Sequence, residues 1–125
     1  MGEPILDLAS KLRRRLSVRL SNSLPQSRKV DFLLCGAQKG GTTALQSYLR
    51  SHPEVCAANV KEVHFFDNED HFARKPGSYE RYHRHFDFRV HHRVVGEATP
   101  IYMYWLAAPR RIWTYNPNMK IVVIL

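Results

Sequence analysis

One stretch, Val30 to Ser51 (VDFLLCGAQKGGTTALQSYLRS), constrains this chain more than any other. Val30 to Cys35 is a short apolar run with β-branched and aromatic members, the pattern of a buried strand. Gly36 to Gly41 follows, with three glycines and one lysine in six residues. Thr42 and Thr43 then open an amphipathic segment in which Ala44, Leu45, Tyr48 and Leu49 fall at helical spacing. A strand, a glycine-rich turn and a helix start in this order form an anion site. Glycines let the backbone approach a phosphate, and the unpaired N–H groups of the first helical turn point at it. Lys39 adds a full positive charge beside them.

The spacing narrows the anion. Triphosphate-binding loops read G-x-x-x-x-G-K-[ST]. Setting Gly36 and Gly41 on the two glycines places Thr42 where the lysine stands and Thr43 on the hydroxyl position. The lysine is displaced into the loop, at Lys39. That position suits a single terminal group on a shorter 5′ chain better than the β- and γ-phosphates of a triphosphate.

Around this unit the chain reads as one α/β domain of 125 residues with a basic extension. A formal charge of +8 favours anionic partners, although a basic protein is also simply soluble. Residues 2–20 place Ile5, Leu8, Leu12 and Leu16 on one helical face among arginines. This basic amphipathic helix either touches a membrane surface peripherally or packs on its own domain. Charges interrupt it too often for a signal peptide or a membrane span, so a cytoplasmic location is expected. Residues 21–29 read as a linker, which sets the domain at 30–125. Cys35 and Cys56 form no disulfide framework, and Cys35 reads as a core residue.

Further along, His52-Pro53 ends the helix and Val55 to Ala58 makes a short strand. Lys61 to Asp67 (KEVHFFD) sets four ionisable groups against two phenylalanines. Extended backbone there places Glu62 and His64 on one face, and a carboxylate held near apolar rings suits a general base. A surface loop with a hydrophobic plug is an equal reading. Asp67 to Ala73 reads as irregular, and Ser78 as the cap of a helix whose apolar face is Tyr79, Tyr82, His83 and Phe86. Six of the seven histidines lie between His64 and His92, but their spacings do not match a helical zinc pair, so no metal is expected. Arg93 to Glu97 is a strand, Tyr102, Tyr104 and Trp105 form an aromatic cluster, and Pro109 opens a helix to about Tyr115. Ile121 to Leu125 reads as a buried parallel strand, an unusual place for a domain to stop, so a truncated domain is expected. Strands alternating with helices imply a parallel sheet with helices around it and a ligand crevice at the strands' carboxyl ends.

Three blocks carry a family resemblance: GAQKGGTTAL from Gly36, KEVHFFD from Lys61 and GEATPIY from Gly96. In this order they resemble the sulfotransferases that use 3′-phosphoadenosine 5′-phosphosulfate (PAPS), most closely the heparan-sulfate-type and bacterial members. The resemblance implies that family's P-loop-like sheet, over roughly Lys29 to the end. It implies that Gly40, Gly41, Thr42 and Thr43 hold the phosphosulfate arm and that Lys39 stabilises the leaving group. It makes Glu62 the base, with His64 and Asp67 supporting base and substrate. The acceptor it implies is a hydroxyl or an amine on a glycan, lipid or small molecule, with no metal and no nucleic acid. Where 3-O-type enzymes have a lysine, this chain has Ala98, which weakens the case for the same polysaccharide substrate and leans toward a bacterial-type enzyme. The family's 3′-phosphate residues would lie beyond Leu125. Two other readings stay open: a P-loop kinase or NTPase, which Thr42 argues against, and a basic anion-binding module without catalysis.

Overall fold

The computed structural model describes residues 23–36 and 41–124. In it the apolar run after Val30 becomes strand β1 (Phe32–Gly36), with Leu33, Leu34 and Cys35 all buried. It pairs on one side with β3 (Val94–Ala98) and on the other with β4 (Lys120–Ile124); β2 (Val55–Ala57) lies outside β3. The order is β2-β3-β1-β4 and every pairing is parallel. The connection after β1 runs to one side of it and the connection after β3 crosses to the other. Such a reversal opens a crevice at the carboxyl ends of the strands. Helices α1 (Thr42–Ser51), α2 (Glu69–Arg74), α3 (Glu80–His83) and α4 (Ala108–Tyr115) and a 3-10 turn at Pro100–Met103 complete the described chain.

Two close approaches fix the sheet. Gly96 stands opposite Phe32 in register, and a Cβ there would lie 2.2 Å from the Phe32 ring, so the aromatic lies over the bare glycine. At the amino ends, the Asp31 carboxylate accepts from Val95 N–H and from both terminal nitrogens of Arg28, tying β3 to the segment before β1.

The core beneath is largely aromatic. Phe65 stacks on Tyr82 with ring centroids 4.6 Å apart, and Phe66 meets Phe65, Tyr82 and Tyr102 edge-on. Such contacts add to area burial and lock ring orientation. The two phenylalanines of the KEVHFFD block are thus an anchor, with Lys61 and His64 left exposed and Glu62 and Asp67 partly covered.

Four sequence expectations are corrected. The buried positions of α1 are Thr42 and Gln46, whereas Tyr48 is 75% exposed. The helix turns its Gln46 side inward because that amide donates to the Lys61 carbonyl across 3.2 Å. The region read as irregular contains α2, because the Asn68 side chain accepts from His71 N–H and caps it. Ser78 caps nothing: α3 starts from Tyr79 without a side-chain cap and ends before Phe86. Finally, among the described residues β4 pairs with β1 alone, and Ile121, Val122 and Val123 are exposed rather than buried. The amphipathic segment 2–20, the loop residues Lys39 and Gly40, and Leu125 lie outside the described residues.

Candidate functional site

The helix that follows the glycine loop begins in a way that leaves donors available. Gly41 stands at the N-cap of α1 with φ 92°, a left-handed conformation that glycine adopts without steric cost. Among the described residues no side chain caps the helix, and its first turn holds no acidic residue. The first-turn N–H groups therefore face outward with the positive end of the helix dipole behind them. A Cβ at Gly41 would meet no atom of the described residues within 4 Å. Thr42 is buried, and Thr43 lines a cleft of about 250 Å³ with Gln46, Ser47, Arg50 and Lys61.

The Gln46 bond to Lys61 joins this helix to the KEVHFFD block. There the structure brings together the three residues that the sequence singled out. His64 Nε2 lies 2.9 Å from Glu62 Oε2, and His64 Nδ1 lies 2.8 Å from Asp67 Oδ2. Partial desolvation works against a charged imidazole, but the hydrogen bond and charge of Asp67, with Glu62 behind them, raise the His64 pKa. As an imidazolium His64 donates through both nitrogens, one to each carboxylate. Glu62 remains half-exposed, and its Oε1 makes no hydrogen bond among the described residues. Asp67 is nearly enclosed, and its Oδ1 is buried without a partner among the described residues.

The block is not extended throughout. His64 has φ 53°, so the alternation argued from sequence fails at that residue, although Glu62 and His64 still meet. The backbone there is held from beneath. Thr99 Oγ1 accepts from Val63 N–H at 3.1 Å and from His64 N–H at 3.4 Å. The Tyr102 hydroxyl accepts from Phe65 N–H at 2.9 Å and from Phe66 N–H at 3.4 Å.

Beneath both hydroxyls lies Glu97, 1% exposed, whose two oxygens accept from Thr99 Oγ1 and from the Tyr102 hydroxyl. Complete burial pushes its carboxyl up to about 7 against the pull of those hydroxyls. The Tyr82 hydroxyl neighbours the same carboxylate but finds no partner in hydrogen-bond geometry. In the sequence Glu97 stands at the end of a strand with nothing beside it that assigns it a role. The available signal was a carboxylate followed at two and five residues by hydroxyl side chains, within an apolar strand end.

Other charged groups lie apart. Arg74, Lys75, Arg81 and Arg84 surround a cleft of about 330 Å³ with Asp70 and Glu80. Glu69 takes a two-pronged bond from Arg111 and a third from Trp105 Nε1, which hold its carboxyl at about 2. His83 is buried, accepts from the Tyr115 hydroxyl at Nε2 and donates from Nδ1 to the carbonyls of Leu24 and Pro25. Burial lowers its pKa to about 4. Among the described residues no three His, Cys, Asp or Glu side chains gather as a metal site, and no helix is long and apolar enough to cross a membrane.

Comparison with known proteins adds a second line of observation. The model of the sulfotransferase domain family matches residues 29–124. The human heparan sulfate glucosamine 3-O-sulfotransferase 5 is 32% identical over 86% of this chain and 30% of its own length. The human 3-O-sulfotransferase 6 is 35% identical over 99% of this chain and 31% of its own length. Among solved structures, a sulfotransferase from Alicyclobacillus acidocaldarius superposes with a TM-score of 0.63 at 29% identity, covering 77% of this chain and 44% of that one. The chain thus spans about a third of the length of these curated relatives.

Proposed function

From the premise that the chain belongs to the sulfotransferase family, we propose that it grips PAPS through the loop before α1 and moves its sulfuryl group to a hydroxyl or amine, with Glu62 as the base. The observation that carries this reading is His64 held between Glu62 and Asp67, in a block hydrogen-bonded to the helix whose open first turn follows the glycine loop. A helix start without a side-chain cap or an acidic residue among the described residues suits an anionic arm.

Each residue then has a defined task. Gly40, Gly41, Thr42 and Thr43 hold the phosphosulfate arm through backbone N–H groups and hydroxyls. Glu62 Oε1 takes the acceptor's proton as the acceptor oxygen or nitrogen bonds to sulfur in line with the breaking S–O bond. Lys39 and the amides stabilise the negative charge that collects on the departing phosphate oxygen. His64 fixes the orientation of Glu62 through Oε2, and Asp67 holds His64 through Oδ2 and so supports base and substrate. No metal enters this scheme.

The names of the 3-O-sulfotransferase relatives support a glycan as the first acceptor to try. The test is transfer of radiolabelled sulfate from PAPS to heparan sulfate oligosaccharides, then to lipid and small alcohol and amine acceptors. The unaltered chain transfers label; Glu62→Gln loses at least about a hundredfold of the rate while PAP binding stays unchanged. Transfer at an undiminished rate by Glu62→Gln, or none by the unaltered chain to any acceptor class, overturns the proposal.

A further inference from the structure

We propose that Glu97 is a positioning residue: its two carboxylate oxygens take the protons of Thr99 and Tyr102, so that both hydroxyls turn their lone pairs to the four successive amides that shape the base-bearing loop. This rests on the reading of Glu62 and His64 given above, which supplies the reason the loop must be held.

A hydroxyl has one proton to give and two lone pairs to offer. The Thr99 proton goes to Glu97 Oε1, which leaves its oxygen to receive Val63 and His64 N–H. The Tyr102 proton goes to Oε2, which leaves that oxygen for Phe65 and Phe66 N–H. Every hydroxyl lone pair and both protons are used, and the arrangement requires two acceptors on residue 97. A glutamine replaces one acceptor oxygen by an NH2 that only donates, and a protonated glutamate turns one of its oxygens into a donor. Its donor would compete with the amides for a hydroxyl lone pair and leave that hydroxyl's proton without a place.

The geometry explains two features otherwise costly. A non-glycine residue at φ 53° is strained, and His64 holds that conformation with its own N–H engaged by Thr99. A carboxylate buried to 1% exposure with no cation against it among the described residues is expensive, yet here it organises four backbone donors through two relays. The loop's side chains then diverge: Phe65 and Phe66 go into the core, while Glu62, His64 and Asp67 form their cluster at the rim. The titratable groups that face Glu97 are Tyr102 from the 3-10 turn, Tyr82 from α3, Asp67 from the loop, Cys35 from β1 and Tyr115 from α4. The three tyrosines and Cys35 stay neutral below pH 9, because burial raises every one of them.

The experiment is amide hydrogen exchange on the full chain, which reads the loop without requiring turnover. Thr99→Val is expected to lower protection of Val63 and His64 roughly tenfold while Phe65 and Phe66 keep theirs. Tyr102→Phe is expected to do the reverse, and Thr99→Ser to retain full protection. Glu97→Gln is expected to expose all four amides while the β1 amides of Leu33 and Leu34 stay protected. In the unaltered chain the four amides lose protection together as pH falls through about 7, and Glu97→Gln abolishes that dependence. Should Glu97→Gln not fold, the Thr99 and Tyr102 variants still decide the matter. Equal protection of all four amides in both hydroxyl variants, or a pH response that survives Glu97→Gln, overturns the proposal. Failure of sulfate transfer with this exchange pattern intact would instead count against the assignment of Glu62.

Discussion

His83 and Glu97 are two buried titratable groups whose pKa values move in opposite directions, and their effects on stability should nearly cancel. His83 is held at about 4 against an ordinary 6.5, so the folded state resists its proton. A depressed pKa gives stability that is complete above 6.5 and is lost as pH falls toward 4. Between pH 7 and pH 5 that loss is about 2 kcal/mol, trimmed toward 1 by whatever water reaches the ring. Glu97 is raised to about 7 from an ordinary 4.5, so the folded state favours its proton. A raised pKa gives stability that is complete below 4.5 and is lost as pH climbs through 7. Over the same interval it adds about 2 kcal/mol on acidification. The unaltered chain should therefore show a nearly flat thermal midpoint between pH 5 and 7, read by circular dichroism. His83→Gln removes one slope, so its midpoint should rise by roughly 5–10 °C on going to pH 5. Glu97→Gln removes the other, and its midpoint should fall by a similar amount. What counts is the slope, since both variants also lose hydrogen bonds and start lower. If either variant keeps the flat profile of the unaltered chain, the burial argument for that residue is refuted.

Three other outcomes follow from the packing. Gly96→Ala drives a methyl into the Phe32 ring and should cost about 1–3 kcal/mol in urea denaturation, with recovery when Phe32→Ala is added. Asn68→Ala removes the cap of α2 and should cost about 1 kcal/mol, visible as faster exchange of His71 N–H. Burial pushes the Cys35 thiol up to about 12 and the Cys56 thiol to about 11, so iodoacetamide at pH 8 should label neither until the chain is unfolded in urea; labelling of the native chain would contradict their enclosure.

The strand Phe32–Gly36 and the helix Thr42–Ser51 were legible because local signals agree there: an apolar run, then a glycine cluster followed by helical periodicity. So were β3 and α4, whose bounds match the Arg93–Glu97 strand and the Pro109 helix start to within one or two residues. Periodicity misjudged which side of α1 faces inward, since the helix follows one hydrogen bond from Gln46 rather than the apolar count. It also missed α2, a helix of six residues that depends on its Asn68 cap more than on any pattern. Glu62, His64 and Asp67 could be picked out as a charged group beside two phenylalanines. That Glu97, 30 or more residues away in sequence, lies under the same loop depends on Thr99 and Tyr102 bridging between elements, and no local signal carries that. The bidentate Arg111–Glu69 pair and the His83–Tyr115 bond were hidden for the same reason.

The proposed transfer depends most on where an adenosine donor sits. Its direct measurement is a nitrogen-proton correlation spectrum of the full chain titrated with 3′,5′-ADP, the desulfated donor. The account predicts saturable shifts at the amides of Gly41, Thr42 and Thr43 and at the His64 imidazole, with ATP and magnesium displacing nothing. Shifts confined to the basic cleft of Arg74, Arg81 and Arg84, with the amides of Gly41 to Thr43 unmoved, would contradict it.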